Sequence, residues 1–395
     1  MKDVKRDRPV KLLVIGQTPP PYVGQMLSIA NIVRATFPDI KVHHVRMNYS
    51  RTVNQFGQVE IEKIFHLLKV LLESGYKILR HRIDVIYYPP GADTVPLLRD
   101  IVTLLWLKIF QRKIILVFHA SGLSLTAGKW KGALRWIFDR AFLYPAAGVQ
   151  KSALNPPDAE FVKARKRYVM SNGVVDEFAK LPKRTSRNSV PVILFVGMVR
   201  ADKGVESIIE AAALLKGQGR EFKVRIVGEF ASEEYRTQLL DRIQEQGIEE
   251  QVEFTGRKID GEKWEQYRRA DIFCFPTYYP AESFGNVLIE AMMFSLPVVS
   301  THWRAIPDIV IDGETGFLVE VKNSVAVAER LNELLDNEEL RARMGRNGRE
   351  RYLRNYTIDR FLARTREIVI EVARMDPGKE ATLSQNAALA QSTRN

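Results

Sequence analysis

The sequence predicts an α/β fold made of two Rossmann-like domains that face each other across a cleft. Its 395 residues exceed the usual domain length about two- to threefold. Short apolar runs alternate with amphipathic stretches, and a polar segment divides this alternation into two halves of similar size. Strands joined by crossover helices form right-handed βαβ units, so each half is expected to hold a mostly parallel sheet.

The first half contains apolar runs with the length and composition of buried strands. They predict strands at Val10–Gly16, Val42–Arg46, Asp84–Tyr88, Lys113–His119 and Ala147–Gln150. Amphipathic segments between them predict helices at Gly24–Ala35, Ile61–Arg80 and Thr94–Phe110. The polar, basic and proline-containing segment Leu181–Pro191 predicts a linker.

The second half repeats the alternation. Strands are predicted at Val192–Val196, Lys223–Val227, Val252–Thr255, Ile272–Phe275 and Pro297–Ser300. Helices are predicted at Glu206–Lys216, Glu233–Gln246, Lys263–Arg269 and Phe284–Phe294, and the chain beyond Val321 is helical up to the long amphipathic stretch Tyr356–Arg374. We therefore predict an N-terminal domain over 1–183, a C-terminal domain over 184–355, a helix over 356–375 that crosses back to the first domain, and a disordered tail over 376–395.

The composition excludes several classes of protein. A single cysteine excludes a disulfide framework and a cysteine-based zinc cluster, and it indicates a reducing compartment. The N-terminus has no signal-peptide core. The most apolar stretch, Ile101–Phe118, is interrupted by Lys108, Arg112 and Lys113, so a spanning helix is not expected. We expect a cytoplasmic protein.

The positive charge is concentrated in the first half. Up to Lys180 there are 28 Lys and Arg against 14 Asp and Glu, whereas the remainder holds 31 against 33. Such a half is either a solvated basic surface or the binding side for nucleic acid, an anionic membrane or a phosphate-bearing substrate. Because the sequence shows neither aromatic stacking platforms nor a known binding module, a nucleic-acid partner is not expected.

Strand–loop junctions are the candidate sites, because ligands bind at the carboxyl ends of strands in open α/β sheets. The first junction, Gly16–Gln25, lacks the G-x-G-x-x-G of dinucleotide-binding folds, which disfavours a dehydrogenase. It contains Gly24 at a helix start, which suits either an approaching anion or a plain helix cap. In the second half, Arg200 and Lys203 precede a helix and suit two phosphates, with an ordinary surface loop as the alternative.

A pair of glutamates marks a third junction. Seven residues separate Glu282 from Glu290, and a helix is predicted to begin between them near Phe284. Backbone N–H groups at Phe284, Gly285 and Asn286 suit phosphate or sugar oxygens, and carboxylates accept hydrogen bonds from hydroxyls. A structural ion pair of Glu290 and a helix-dipole interaction of Glu282 are the alternatives.

Taken together, these segments resemble the family 4 retaining glycosyltransferases of the two-domain GT-B fold. The resemblance extends to about Glu371 and is strongest over 192–319. The matching segments are FVGMVRADKG, KVRIVGE, VEFTGR, ADIFCFPTYYPAESFGNVLIEAM, LPVVSTHWRAIPDIV and DGETGFLV, with SNGV at Ser171–Val174. The most specific feature is the E-x₇-E spacing preceded by a G-x₅-K-G loop.

The resemblance implies roles in binding a nucleotide-sugar donor. Arg200 and Lys203 would neutralise its diphosphate, Glu282 would bind the sugar hydroxyls and Glu290 the ribose hydroxyls. The backbone of Phe284–Asn286 would hold the sugar and the distal phosphate.

Other implied positions lie elsewhere in the chain. Gly24 would approach the phosphate from the first domain, and His119 would lie near the reacting face of the sugar. The base would be contacted by backbone groups around Arg257 and Lys258, and Asn172 of the SNGV segment would bind substrate.

The implied reaction is transfer of a sugar from a UDP- or GDP-linked donor to a hydroxyl acceptor, with retention at the anomeric carbon. The nucleotide sugar is a co-substrate, so no cofactor is expected. The sequence contains no D-x-D, which predicts a metal-independent enzyme that stabilises the leaving diphosphate with Arg200, Lys203 and helix N–H groups.

The basic first domain suits a glycan or lipid-linked acceptor in bacterial surface polysaccharide or lipopolysaccharide synthesis, with peripheral attachment to the inner face of the plasma membrane. The chain departs from the family pattern at Val23, Arg304, Ala305 and Asp308. These differences bear on which acceptor and which donor sugar it prefers. A sugar-nucleotide hydrolase or epimerase of the same fold, and a non-catalytic sugar-nucleotide binding protein, are the alternatives left open.

Overall fold

The computed structural model describes residues 8–20, 24–47, 61–182 and 188–376. The chain divides into two compact units, one formed by Met1–Met170 with Leu362–Asn395 and the other by Ser171–Phe361. Each unit is built on a six-stranded sheet in which all neighbouring strands are parallel. The predicted α/β class with two Rossmann-like domains is confirmed.

The first unit begins with strands that are buried apolar runs. Its strands are β1 (Val10–Gly16), β2 (Ile40–Arg46), β3 (Val85–Tyr88), β4 (Lys113–Val117), β5 (Ala147–Gln150) and β6 (Lys166–Val169). Its helices are α1 (Gly24–Arg34), α2 (Ile61–His81), α3 (Thr94–Ile109), α4 (Leu123–Ala127), α5 (Gly132–Phe142) and α6 (Asp158–Phe161). The strand order is β2-β1-β3-β4-β5-β6.

The second unit has the larger apolar core. Its strands are β7 (Val192–Val196), β8 (Lys223–Val227), β9 (Val252–Gly256), β10 (Ile272–Phe275), β11 (Val298–Thr301) and β12 (Gly316–Val319). Its helices are α7 (Val205–Gly217), α8 (Glu233–Glu245), α9 (Asp260–Arg268), α10 (Asn286–Met293), α11 (Ile306–Ile309), α12 (Ser324–Asp336) and α13 (Glu338–Asn355). The strand order is β12-β11-β10-β7-β8-β9.

The last described helix, α14 (Ile358–Arg374), belongs to the first unit from Leu362 onward. Within that unit, Arg366 donates two hydrogen bonds to the Asp39 carboxylate, at 2.7 and 2.6 Å. Lys113 Nζ donates to the carbonyl oxygen of Ala373 at 2.9 Å. These contacts hold the part of α14 from Arg366 to Ala373 against the first unit.

Two of the four edge strands, β6 and β12, are absent from the sequence prediction. β6 alternates partly buried and exposed residues and contains Lys166 and Arg167, so it lacks an apolar run. β12 is only four residues long and begins at a glycine. Apolar runs identify central strands more readily than such edges.

The division between the units falls at Met170 and Ser171, earlier than the predicted 183/184. The segment after β6 joins the second unit because Val174 donates to the Tyr356 carbonyl and accepts from the Ile358 N–H, both at 3.0 Å. Residues 183–187 of the predicted linker and 377–395 of the predicted disordered tail lie outside the described residues.

Each sheet reverses its strand order once. In the first sheet, β2 and β3 lie on opposite sides of β1, and in the second, β8 and β10 lie on opposite sides of β7. Loops that leave such neighbouring strands diverge to opposite faces of the sheet and open a crevice at the carboxyl edge. The second unit therefore has its crevice after β7 and β10.

One glycine shows how tightly this edge is packed. A Cβ atom at Gly228, just after β8, would lie 1.7 Å from the carbonyl oxygen of Gly197, just after β7. Because the obstacle is backbone, we expect Gly228→Ala to lower the free energy of unfolding by about 1–3 kcal/mol. Chemical denaturation followed by circular dichroism measures this change.

Gly217→Ala is the matched control, since nothing lies within 4 Å of a Cβ atom at that position. It should leave stability unchanged or raise it by about 0.4–1 kcal/mol. Equal stability of the two variants would show that β7 and β8 do not approach so closely.

Candidate functional site

The loop after β7 brings two cations to the crevice of the second unit. Arg200 precedes a turn of 3₁₀ helix at Ala201–Lys203, and Gly204, with φ of +78°, is the N-cap of α7. A Cβ atom at Gly204 would lie 2.1 Å from the carbonyl oxygen of Pro276 in the loop after β10. Glycine is therefore required where the two loops meet, both for the left-handed backbone and for the close approach.

The loop after β10 is held by hydrogen bonds from its neighbours. The Asp202 carbonyl accepts from the Tyr278 N–H at 2.8 Å. Thr301 Oγ1 donates to the Thr277 carbonyl at 2.6 Å, and Trp303 Nε1 donates to the Tyr279 carbonyl at 2.8 Å. These bonds hold the backbone that carries the Tyr279 side chain.

Lys203 and Glu282 form an ion pair that joins the two loops. Lys203 Nζ lies 2.6 Å from Glu282 Oε2 and 4.2 Å from the centre of the Tyr279 ring. The two side chains are only 15% and 11% exposed. A pair so shielded from water is oriented by its partners and interacts more strongly than a surface pair.

Arg200 is paired in a similar way. Its guanidinium contacts the Asp202 carboxylate at 2.6 and 2.7 Å and lies 5.0 Å from the centre of the Tyr279 ring. The ring of Tyr279 therefore supports both cations by cation–π contact. In this structure each predicted phosphate-binding cation is balanced by a carboxylate.

Glu290 is held inside the unit by two residues of α9. Its carboxylate accepts from Lys263 Nζ at 2.7 Å and from the Tyr267 hydroxyl at 2.8 Å, and its side chain is 5% exposed. Burial and the neighbouring carboxylate raise the pKa of Tyr267 well above its usual range, so the phenol stays protonated and donates. The Glu290 carboxylate is therefore oriented by two donors from α9.

Helix α10 begins later than predicted. The prediction placed its start near Phe284, whereas the structure starts it at Asn286, because Gly285 takes φ of +85° as the N-cap. Phe284 is buried and packs edge-to-face on Tyr356, with ring centres 5.8 Å apart. The first turn of α10 leaves N–H groups without intrahelical acceptors, as any helix start does.

Asn172 lies against this helix start. Its Nδ2 donates to Asn286 Oδ1 at 2.9 Å, and its own Oδ1 is buried with no hydrogen-bond partner among the described residues. A buried amide oxygen without a donor is costly. The structure thus connects the SNGV segment with the predicted Phe284–Asn286 backbone site.

Arg257 and Lys258 lie apart from this group. They follow β9, the edge strand two positions from β7, and precede α9. Arg257 is exposed, and Lys258 Nζ lies 3.8 Å from Glu262 one turn further on.

The two candidates in the first unit lie in different parts of the fold, one at the start of α1 and one after β4. Gly24 is the first residue of α1, and its carbonyl accepts from Ser28 Oγ at 3.0 Å. His119 follows β4 and is buried, with Nε2 2.9 Å from the Tyr87 hydroxyl. Burial lowers the pKa of His119 well below its usual range, and the charge of the buried Lys151 lowers it further.

The residues that pair with Arg200, Lys203 and Glu290 were only partly predicted from the sequence. Asp202, Tyr279, Lys263 and Tyr267 were not among the predicted site residues. Lys263 and Tyr267 are four residues apart on a predicted helix, so they share one face, and this spacing was the available signal.

The described residues form neither a metal-binding cluster nor a membrane-spanning helix. Among residues 8–20, 24–47, 61–182 and 188–376, no group of three or more His, Cys, Asp or Glu side chains could hold a metal ion. None of the described helices is both long and apolar enough to cross a membrane.

The buried His119 predicts a pH dependence of stability. The folded protein holds a neutral imidazole, whereas the unfolded chain takes up a proton below about pH 6.5. Acidification therefore favours unfolding, by at most about 1.4 kcal/mol per pH unit from this group. We expect His119→Gln to fall less steeply in unfolding free energy between pH 6.5 and 5 than the wild type. Urea denaturation at several pH values measures both slopes, and identical slopes would contradict a neutral His119.

Comparison with known proteins adds to this geometry. Residues 176–351 match the family of group 1 glycosyl transferases. A capsular polysaccharide biosynthesis glycosyltransferase of Staphylococcus aureus is 31% identical over 40% of this chain and 40% of its own length. An uncharacterized glycosyltransferase of Methanocaldococcus jannaschii is 26% identical over 89% of this chain and 96% of its own length. The chain thus spans less than half of the first relative and nearly all of the second.

A solved structure shares the fold over most of the chain. HepE of Anabaena, in complex with UDP and glucose, superposes with a TM-score of 0.70 at 18% identity, covering 92% of this chain and 100% of that one. The chain has the GT-B fold, and its residues 176–351 are similar to the group 1 glycosyl transferases.

Proposed function

We propose that the protein is a retaining glycosyltransferase that moves a sugar from a nucleotide-diphosphate sugar to a hydroxyl acceptor. The observation that carries the proposal is the Lys203–Glu282 ion pair, which joins the loops after β7 and β10 where the strand order reverses. A cation and a carboxylate at one crevice suit a ligand that offers both phosphate and hydroxyl groups.

The cations and α10 would bind the diphosphate. The Lys203 ammonium has three donors, of which one is directed to Glu282, so it can donate to a phosphate without leaving its pair. Arg200 offers a second cation, and the N–H groups at the start of α10 add the positive end of a helix dipole. Charge that develops on the leaving diphosphate would meet groups already in position.

The carboxylates would bind hydroxyl groups of the donor. Glu282 has further lone pairs beyond the one that accepts from Lys203, and we assign it to the sugar. Glu290, held by Lys263 and Tyr267, is assigned to the ribose. Asn172 and the Phe284–Asn286 backbone would complete the sugar and phosphate contacts, and backbone groups near Arg257 and Lys258 would contact the base.

We further propose that the enzyme retains the configuration at the anomeric carbon and needs no metal ion. The sequence offers no D-x-D to bind a divalent ion at the diphosphate, so Lys203 and Arg200 would supply the positive charge. The leaving phosphate oxygen would itself accept the proton of the acceptor hydroxyl on the same face of the sugar. The roles of Gly24 and His119 stay predictions from the sequence.

The donor and acceptor are proposed from charge and from the relatives. HepE was solved with UDP and glucose, which favours a UDP-linked donor over a GDP-linked one. The relative from Staphylococcus aureus is named for capsular polysaccharide biosynthesis. With the basic first half, this supports a glycan or lipid-linked acceptor in bacterial surface polysaccharide synthesis, and a cytoplasmic enzyme bound peripherally to the inner face of the plasma membrane.

Nucleotide binding tests the donor site. We expect calorimetric titration with UDP, GDP and ADP to show micromolar binding of one nucleotide, UDP being favoured. Glu290→Gln should weaken that binding about 10- to 100-fold, because hydrogen bonds to a charged group are lost. Glu333→Gln, which removes a carboxylate paired with Arg330 on α12, is the control and should bind normally. Wild-type affinity in Glu290→Gln would contradict the assignment.

Turnover tests the role of Lys203. We expect Lys203→Ala to lower release of UDP from UDP-hexoses about 100- to 1000-fold in the presence of bacterial lipid extract as acceptor source. The control is Lys216→Ala, which should retain activity. The amino group of Lys216 donates to the backbone carbonyl of Gly247. Circular dichroism verifies that both variants are folded.

Two results would contradict the proposal. Wild-type turnover in Lys203→Ala would remove Lys203 from the donor site. Release of free sugar at the same rate without acceptor would identify a hydrolase instead. Retention is measured by the anomeric configuration of the product in proton NMR.

A further inference from the structure

Helices α2 and α3 of the first unit carry apolar side chains on their outer faces. On α3, the exposed residues from Val95 to Ile109 are all apolar and recur at intervals of three and four, namely Val95, Leu98, Val102, Leu105 and Ile109. On α2 a second row is exposed, namely Ile64, Phe65, Leu68, Leu72, Tyr76 and Leu79. Leu72 is 70% exposed and Ile109 is 68% exposed. Rows with this spacing form one stripe along a helix.

The two rows lie on helices that contact each other. α2 packs on α3, where Gly75 lies against the Trp106 ring, and α3 packs on α5. Trp136 of α5 is also exposed, with the Arg140 guanidinium 4.9 Å from its ring centre. The exposed apolar residues of α2, α3 and α5 are called the outer apolar face below. Exposed apolar residues grouped on neighbouring helices are typical of an interaction site.

The charges around the outer apolar face are mainly positive. The three helices hold eight Lys and Arg against four Asp and Glu. Three of the four acidic side chains are paired with a base of the same helix, in the pairs Lys77–Glu73, Arg99–Asp100 and Arg135–Asp139. Lys69 and Arg80 are exposed beside the α2 row. The face therefore combines apolar side chains with an excess of positive charge.

We propose that the outer apolar face of α2, α3 and α5 binds the surface of a lipid bilayer with anionic headgroups. The proposal extends the peripheral location proposed above and does not depend on the donor site. Amphipathic helices with basic borders lie in the plane of such a surface, with apolar residues in the acyl region and Tyr and Trp at headgroup level.

Charge distinguishes the bilayer from a second copy of the chain. Two copies in face-to-face contact would bring together two halves that each carry a net positive charge, 28 basic against 14 acidic residues up to Lys180. Like charges at an interface oppose association, whereas anionic headgroups neutralise them. α2 and α3, about 30 and 24 Å long, offer a bilayer an extended surface of contact.

Vesicle flotation with the full chain tests the proposal. We expect binding to vesicles of phosphatidylglycerol and phosphatidylcholine at low salt, and at least tenfold weaker binding to phosphatidylcholine alone. The double variant Leu72→Glu, Ile109→Glu should bind the anionic vesicles at least tenfold more weakly than the wild type. The matched control is Leu240→Glu, Val325→Glu, which changes exposed apolar residues of α8 and α12 in the second unit and should bind normally.

Three outcomes would overturn the proposal. The first is that the wild type fails to bind anionic vesicles at low salt. The second is that the double variant Leu72→Glu, Ile109→Glu binds them as well as the wild type does. The third is that the wild type is a dimer, binds no vesicles, and becomes a monomer in the double variant. Titration of the same variant with UDP separates this surface from the donor site. Normal UDP binding with failed flotation of the wild type would overturn the membrane surface alone.

Discussion

Strand order reverses between β7 and β10, and this reversal determines which side chains can meet in the second unit. Because the two strands are parallel neighbours, their loops leave the same edge of the sheet and turn to opposite faces. The Lys203–Glu282 pair spans this opening, and Gly204 permits the loops to approach as closely as they do. The hydrogen bonds from Thr301 and Trp303 then hold the β10 loop from the next strand along.

The sequence alone predicts those elements whose formation depends on residues that are neighbours in the chain. β7 and β10 have the predicted bounds because both are continuous apolar runs, buried along their whole length. The start of α10 was placed too early, since it depends on the left-handed backbone of Gly285. The partners of Glu290 were missed because Lys263 and Tyr267 lie 27 and 23 residues away in sequence. Such contacts arise from the packing of α9 against α10.

The two halves of the chain handle charge differently. In the second unit the charged groups of the crevice are matched side by side, as Arg200 with Asp202 and Lys263 with Glu290. The first half has twice as many basic as acidic residues, and its surface adds apolar rows on α2 and α3. Where opposite charges are paired, their electric field is confined to the site. An excess of one sign produces a field that reaches outward over a Debye length of about 8–10 Å.

The internal pairing of Lys203 and Arg200 has a consequence for selectivity. An anion that offers negative charge alone can reach the remaining donors of the cation, but it brings its charge beside the Glu282 or Asp202 carboxylate, and the like charges repel. A ligand that carries hydroxyl groups beside its phosphates can donate to the carboxylate while it accepts from the cation. On the proposed function, the crevice would therefore favour a ligand with both groups over an anion that has no donors, without a steric barrier to exclude the latter.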